Sequence, residues 1–232
     1  MWPEITLGVD LAQSHDFTAL VGLEHRPGMQ GTMYAARMVE RWRGRSYTEL
    51  PRLVHQAETK LRQTLANEFF DQHGAAIHPW HDIGYTLVVD ATGVGAPVVD
   101  ALTDAGLNPV PVVITGGFQV NRREGGGHTV PKADLVAAVQ LLLEQRRLLI
   151  PAELPHAATL TRELANFRYE VGASGHVRYG AGPVGSADIS WRGDGSHDDL
   201  LLATAVAAWH AERNQFSGID PVLLAAFSDM PR

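Results

Sequence analysis

The sequence predicts an α/β protein built on one sheet of mixed strand direction, flanked by helices. Two observations predict it. Residues 5–42 read as three strands joined by turns, a hairpin-linked antiparallel meander. From residue 46 onward, helical patterns alternate with short apolar runs, the arrangement that yields crossovers and parallel strands.

Each element has its own signal. Ile5 to Val9 is a strand that stops at Asp10, and Leu11 to Asp16 is a polar turn. Phe17 to Glu24 is the second strand, Pro27 to Gly31 the next turn and Thr32 to Trp42 the third strand. Ser46 and Glu49 have the spacing of a capping box, and Leu50, Leu53, Val54, Ala57, Leu61 and Leu65 form a helical stripe reaching about Asp71. The apolar run Thr86 to Val89 ends on Asp90. Two glycines and Pro97 follow, then the helical pattern that begins at Val98: a strand, a turn and a helix start. Asn108 to Thr115 is a fifth strand, and Gly116 to Thr129 a polar loop with the triplet Gly125, Gly126 and Gly127. Pro131 opens a helix expected over Lys132 to Leu149. His156 to Arg168 is another helix, residues 169–191 an irregular hairpin, and Leu200 to about Glu212 the final helix. The expected division is one domain over residues 1–215 and a C-terminal appendage over 216–232.

Composition narrows the function. The 232 residues are 45% hydrophobic, enough for a sizeable core, and 19% charged, too few for a disordered chain. No cysteine is present, so disulfides, thiolate zinc sites and thiol catalysis are excluded. No apolar run is long enough to span a membrane, and no secretory signal is visible at the start, so a cytoplasmic location without membrane partners is expected. Neither G-x-G-x-x-G after the first strand nor G-x-x-x-x-G-K-[ST] anywhere occurs, so dinucleotide and P-loop phosphate binding are unsupported. The net charge of −7 argues against a dedicated tight nucleic-acid binder but allows a locally basic groove.

Three acidic points recur at element ends: Asp10, Asp90 and the pair Asp198 and Asp199. If the first and fourth strands are adjacent and parallel, Asp10 and Asp90 emerge at one edge, and the last helix brings Asp198 or Asp199 to it. Clustered carboxylates raise one another's pKa, and a hard divalent cation removes that penalty. Asp90 alone also fits a turn-shaping role, and Asp199, three residues after Ser196, also fits a helix cap. Asp198 is not needed as a cap and is the better ligand candidate. Asp16, which also fits a solvated turn acid, lies within reach of the same edge, and His197, which also fits a turn residue, is a further auxiliary candidate.

These motifs carry a resemblance. Gly8-Val-Asp10 followed by a hairpin, Val88-Val-Asp90-Ala-Thr-Gly-Val-Gly95, and His197-Asp-Asp-Leu200 before an alanine-rich helix resemble the nuclease domain of phage terminase large subunits. Pro131-Lys-Ala-Asp-Leu-Val136 and Leu148-Leu-Ile-Pro151 are similar to that pattern as well, and the match spans roughly residues 4–212. The resemblance implies a ribonuclease H-like fold and a metal-dependent endonuclease acting on double-stranded DNA during viral genome packaging in the host cytoplasm. It implies two Mg²⁺ or Mn²⁺ ions held by Asp10, Asp90 and Asp198 or Asp199, with Asp10, Asp90 and Asp198 the expected catalytic set; Lys132 is a further auxiliary candidate. Full large terminases carry a packaging ATPase before the nuclease, and this chain contains no P-loop. The expectation is an isolated nuclease domain, one gene of a split terminase, or a relative with another use. A separate ATPase, a small terminase and a portal are the implied partners.

Candidate phosphate contacts are Arg41 and Arg43 on the third strand, where Arg37 shares their parity, and Arg122, Arg123 and Lys132 around the glycine-rich loop. Trp42, Trp80, Trp191 and Trp209 read as packing residues. Two other readings remain open at this level: another ribonuclease H-like hydrolase, such as a Holliday-junction resolvase, and a non-catalytic domain that binds a packaging partner.

Overall fold

In the computed structural model, residues 4–11, 17–29, 31–73, 80–93, 96–171, 177–181 and 198–214 are described. Asp16, Trp191, His197 and the appendage over 216–232 lie outside them. The meander is β1 (Glu4–Asp10), β2 (Phe17–Arg26) and β3 (Met33–Arg43), with both pairings antiparallel. Helix α1 (Leu50–His73) follows, its entry closed by the Glu49 carboxylate accepting from the Ser46 amide at 3.1 Å. Then come β4 (Tyr85–Asp90), α2 (Ala96–Asp104) and β5 (Pro109–Thr115). β4 lies parallel to both β1 and β5.

The polar loop after β5 holds two short strands that its composition does not announce: β6 (Asn121–Arg122) and β7 (His128–Pro131), paired antiparallel. The glycine triplet is their turn. All three glycines take positive φ, 84°, 104° and 76°, which explains why the turn is built of glycine. Helix α3 (Lys132–Glu144) starts directly from β7 and is shorter than expected. The chain reverses at Arg146, in the left-handed region at φ 55°, so that β8 (Leu148–Leu149) pairs in parallel with β3. No glycine marks that stop. Helix α4 (Ala157–Asn166) leads into the hairpin β9 (Phe167–Val171) and β10 (Val177–Ala181), and α5 (Asp199–Asn214) closes the described chain.

The main sheet has eight strands in the order β6-β7-β5-β4-β1-β2-β3-β8. Alternation along the central strands divides the core in two. Ile5, Leu7, Val9, Leu87 and Val89 pack with α1 and α2, while Val88, Ala19, Val21 and Val112 pack with α3, α4 and α5. Helix α5 is buried along nearly its whole length, from Asp199 to Ala211. It lies close against β1 because Gly8 has no side chain: a Cβ there would stand 1.9 Å from the Ala203 carbonyl oxygen and 2.8 Å from the Ala207 Cβ. No helix among the described residues is long and apolar enough to cross a membrane.

One predicted alignment fails. A straight third strand would put Arg37, Arg41 and Arg43 on one face. The β2–β3 register shifts at Gly22/Leu23, a bulge that reverses the parity of β3 partway along. Arg37 therefore pairs with Glu68 of α1, and Arg41 with Asp199 of α5 on the opposite face of the sheet.

Candidate functional site

Strand register places the acids. Asp10 is the partner of Asp90 across the parallel β1–β4 pair. It is also opposite Ala19, which in turn is opposite Arg41. On the other flank Asp90 is level with Val112, Val112 with His128, and His128 with Arg122. Register partners share a face, so one row of side chains crosses seven strands. It is the face that α5 covers, since Gly8 shares the parity of Asp10 and touches that helix. At roughly 4.8 Å per strand, Arg41 is about 10 Å from Asp10 and Arg122 about 14 Å from Asp90.

Asp90 is buried, and its Oδ1 accepts the Thr92 amide at 2.8 Å, while the Thr92 hydroxyl accepts from the Ile114 amide at 2.7 Å. The carboxylate thus shapes the turn after β4 and also faces Asp10. Burial raises the pKa of Asp90, against the Thr92 hydrogen bonds and the positive charge of Lys132. Asp10 is held well above the ordinary carboxylate value, first by burial and then by the charges of Asp90, Asp198 and Asp199; Lys132 works the other way. The four acids therefore share one electrostatic neighbourhood.

The start of α5 sends its two acids in different directions. The Asp198 carbonyl accepts the Leu202 amide at 2.8 Å, the first helical bond, so Asp198 sits at the cap position and Asp199 is the first helical residue. The Asp198 carboxylate meets the Lys132 ammonium at 3.1 Å. The Asp199 carboxylate receives Arg41 in a two-pronged pair, Nε at 2.7 Å and Nη2 at 2.6 Å. Among the described residues, no three His, Asp or Glu side chains converge tightly enough to form a ready-made metal cage. The two α5 acids are paired instead with Lys132 and Arg41.

The predicted contact residues divide in the same way. Arg41 and Lys132 point inward and meet acids, so neither is an exposed phosphate contact in this structure. Arg43, Arg122 and Arg123 are exposed. Trp209 is buried as expected, its ring 5.4 Å from that of His128.

Sequence reasoning missed Glu163. It lies on α4, 6% exposed, and its Oε2 accepts the Leu201 amide at 2.9 Å. Burial pushes its pKa up to about 8, helped by Asp199 and opposed by the Leu201 hydrogen bond and Arg41. A signal existed: Ala157, Leu160 and Glu163 recur every three residues, so an acid occupies a core position of an amphipathic helix.

The sequence matches no established family profile and no curated protein. Solved structures do match. The large terminase nuclease from thermophilic phage G20c aligns over 88% of this chain and 81% of its own, with 20% identity and a TM-score of 0.53. With bound magnesium, the same nuclease aligns over 89% and 80%, with 22% identity and a TM-score of 0.54. The large terminase nuclease domain of bacteriophage SPP1 with bound manganese aligns over 91% and 86%, with 15% identity and a TM-score of 0.49. At these identities the likeness is one of fold: this chain has the ribonuclease H-like fold of terminase nuclease domains.

Proposed function

We propose that the chain is a metal-dependent DNA endonuclease of the large-terminase type, cutting phosphodiester bonds by two-metal-ion hydrolysis during viral genome packaging. The observation that carries this reading is the register of Asp10 with Asp90 on adjacent parallel strands, beneath the helix start that brings Asp198 and Asp199. A turn residue or a helix cap has no need of a second carboxylate in line with it.

The residues suit Mg²⁺ or Mn²⁺. Both ions take oxygen donors, and Asp10, Asp90 and Asp198 offer carboxylate oxygens only. The burial and mutual repulsion that raise the pKa of Asp10 are a cost that a divalent cation removes. When bound, two such ions would supply activation of a water and stabilisation of the leaving oxygen. The chain supplies the frame. The sheet fixes Asp10 and Asp90 on one rigid edge, Thr92 orients the Asp90 carboxylate, and Lys132 holds Asp198 toward the same edge. Arg43, Arg122 and Arg123 offer phosphate contacts, which hold a duplex without reading its sequence. A separate packaging ATPase, with a small terminase and a portal, is the partner set that this role requires.

Incubation of plasmid DNA with Mn²⁺ or Mg²⁺ is expected to give nicked and linear products with little sequence preference, and EDTA to stop the reaction. Cleavage that persists in EDTA, or no cleavage with either metal, sinks the proposal. Preference for branched DNA or an RNA–DNA hybrid over the plasmid would replace it with the resolvase-like reading.

A second expectation concerns affinity. With a net charge of −7 and only a few exposed arginines near the acids, DNA binding by the isolated chain should be weak and steeply salt-dependent. Fluorescence anisotropy checks this. Submicromolar binding that holds constant between roughly 50 and 200 mM salt contradicts it.

A further inference from the structure

The start of α5 is tied down by a buried cluster drawn from three elements. Arg41 of β3 grips Asp199 through two hydrogen bonds, and its guanidinium carbon lies 3.8 Å from the Phe17 ring centroid. Glu163 of α4 closes the cluster, its Oε2 accepting the Leu201 amide at 2.9 Å and its Oε1 standing 3.8 Å from Arg41 Nη2. The side chains of Arg41, Asp199 and Glu163 are 12%, 8% and 6% exposed. Asp198 stands just outside, its side chain 23% exposed and holding Lys132 through one contact at 3.1 Å.

The two α5 acids therefore differ in what they must give up to hold a cation. Asp199 would lose two short charge-assisted hydrogen bonds and leave a nearly buried guanidinium with only the 3.8 Å approach of Glu163, a costly exchange. Asp198, itself more exposed, would give up one longer contact, with a lysine whose side chain is 10% exposed. We infer that Arg41 is a positioning residue for the Asp198 carboxylate, acting through Asp199 and Glu163, and that Asp199 anchors α5 instead of holding a cation. This rests on the nuclease reading, in which Asp10, Asp90 and Asp198 hold the cation together. The Arg41–Asp199 pair decides where α5 begins over the sheet, and hence where Asp198 stands relative to Asp10, two strands from Arg41.

Mn²⁺ binding by titration calorimetry, with amide exchange at Leu200–Leu202, tests this without recourse to activity. Arg41→Gln should weaken Mn²⁺ binding by about 10–100-fold, the usual effect of losing a residue that orients a ligand, and should speed exchange at Leu201. Asp198→Asn should abolish saturable binding, whereas Asp199→Asn should retain it in weakened form. Combining Arg41→Gln with Asp199→Asn removes both buried charges and should recover affinity relative to Arg41→Gln alone. If Asp199→Asn loses binding as completely as Asp198→Asn, or if Arg41→Gln titrates and exchanges like the wild type, the inference is overturned. If Arg41→Gln does not fold, the comparison of Asp198→Asn with Asp199→Asn decides. A wild type that binds no Mn²⁺ overturns the nuclease reading and this inference with it. A wild type that binds Mn²⁺ beside an unaffected Arg41→Gln overturns this inference alone.

Discussion

Asp10→Asn is expected to lower Mn²⁺-dependent cleavage by several orders of magnitude while leaving the metal-free protein as stable as the wild type or more so. Asp10 lies at the centre of the acidic row, opposite Asp90, and feels Asp90, Asp198 and Asp199 together. Asparagine keeps the shape and removes one charge, so repulsion within the buried cluster falls. The sign with pH follows from the raised folded pKa. Folded Asp10 binds its proton more tightly than the unfolded chain does, so its contribution is fully present below the ordinary value of 3.8 and is lost as pH rises through the folded value. The stability advantage of Asp10→Asn should accordingly grow as pH rises and vanish in acid. With Mn²⁺ the order reverses, because the wild type gains stability by binding and the variant, short of one ligand, gains less. Asp90→Asn should behave alike in cleavage but gain less stability, since the Thr92 amide keeps an acceptor in the asparagine Oδ1 but loses a charged one. Thermal melts across pH, with and without Mn²⁺, check both variants. Wild-type cleavage and a full metal-induced melting shift in both would remove the metal site and leave a binding domain in its place.

What was legible in the sequence follows from range. The meander, α1, β4, β5 and α5 each carry their pattern within a few residues of themselves, so period and turn chemistry are sufficient. Asp10 and Asp90 stood out because an acid ended an apolar strand. Strands β6 and β8 have two residues each, too short to show a period, and their place in the sheet comes from neighbours distant in sequence. The stop of α3 was hidden because Arg146 takes the left-handed conformation that glycine usually signals. The bulge in β3 left no mark in composition, so Arg37 and Arg41 looked alike although they face opposite helices. The Arg41–Asp199 pair joins residues 158 apart, and nothing local to either predicts it. Gly8 was read only as part of a motif. Its physical reason, the approach of α5, is tertiary.

Gly8→Ala should therefore be among the most damaging single substitutions in the protein, although it adds one methyl group. The new Cβ would meet the backbone oxygen of Ala203 at 1.9 Å, and a backbone atom of a buried helix cannot rotate away. Helix α5 would have to lift from β1, opening the contact between two densely packed elements. Overpacking of this kind costs about 1–3 kcal/mol, occasionally more. The upper end applies here, which for a chain of this length corresponds to a melting temperature lower by about 6–12 °C. Function should suffer beyond the lost stability, because the helix that lifts is the one that carries Asp198, and the Mn²⁺-induced melting shift should shrink with it. Gly22→Ala is the control on the opposite face. Its Cβ would meet Leu61 Cδ2 at 2.6 Å and Leu7 Cδ2 at 3.2 Å, the far ends of side chains that can turn aside. It should lose less stability and keep the Mn²⁺ response. Ala207→Gly should not rescue Gly8→Ala, since the 2.8 Å contact with Ala207 is the lesser clash and the carbonyl of Ala203 remains. If Gly8→Ala melts no lower than Gly22→Ala, α5 does not rest on β1 as described.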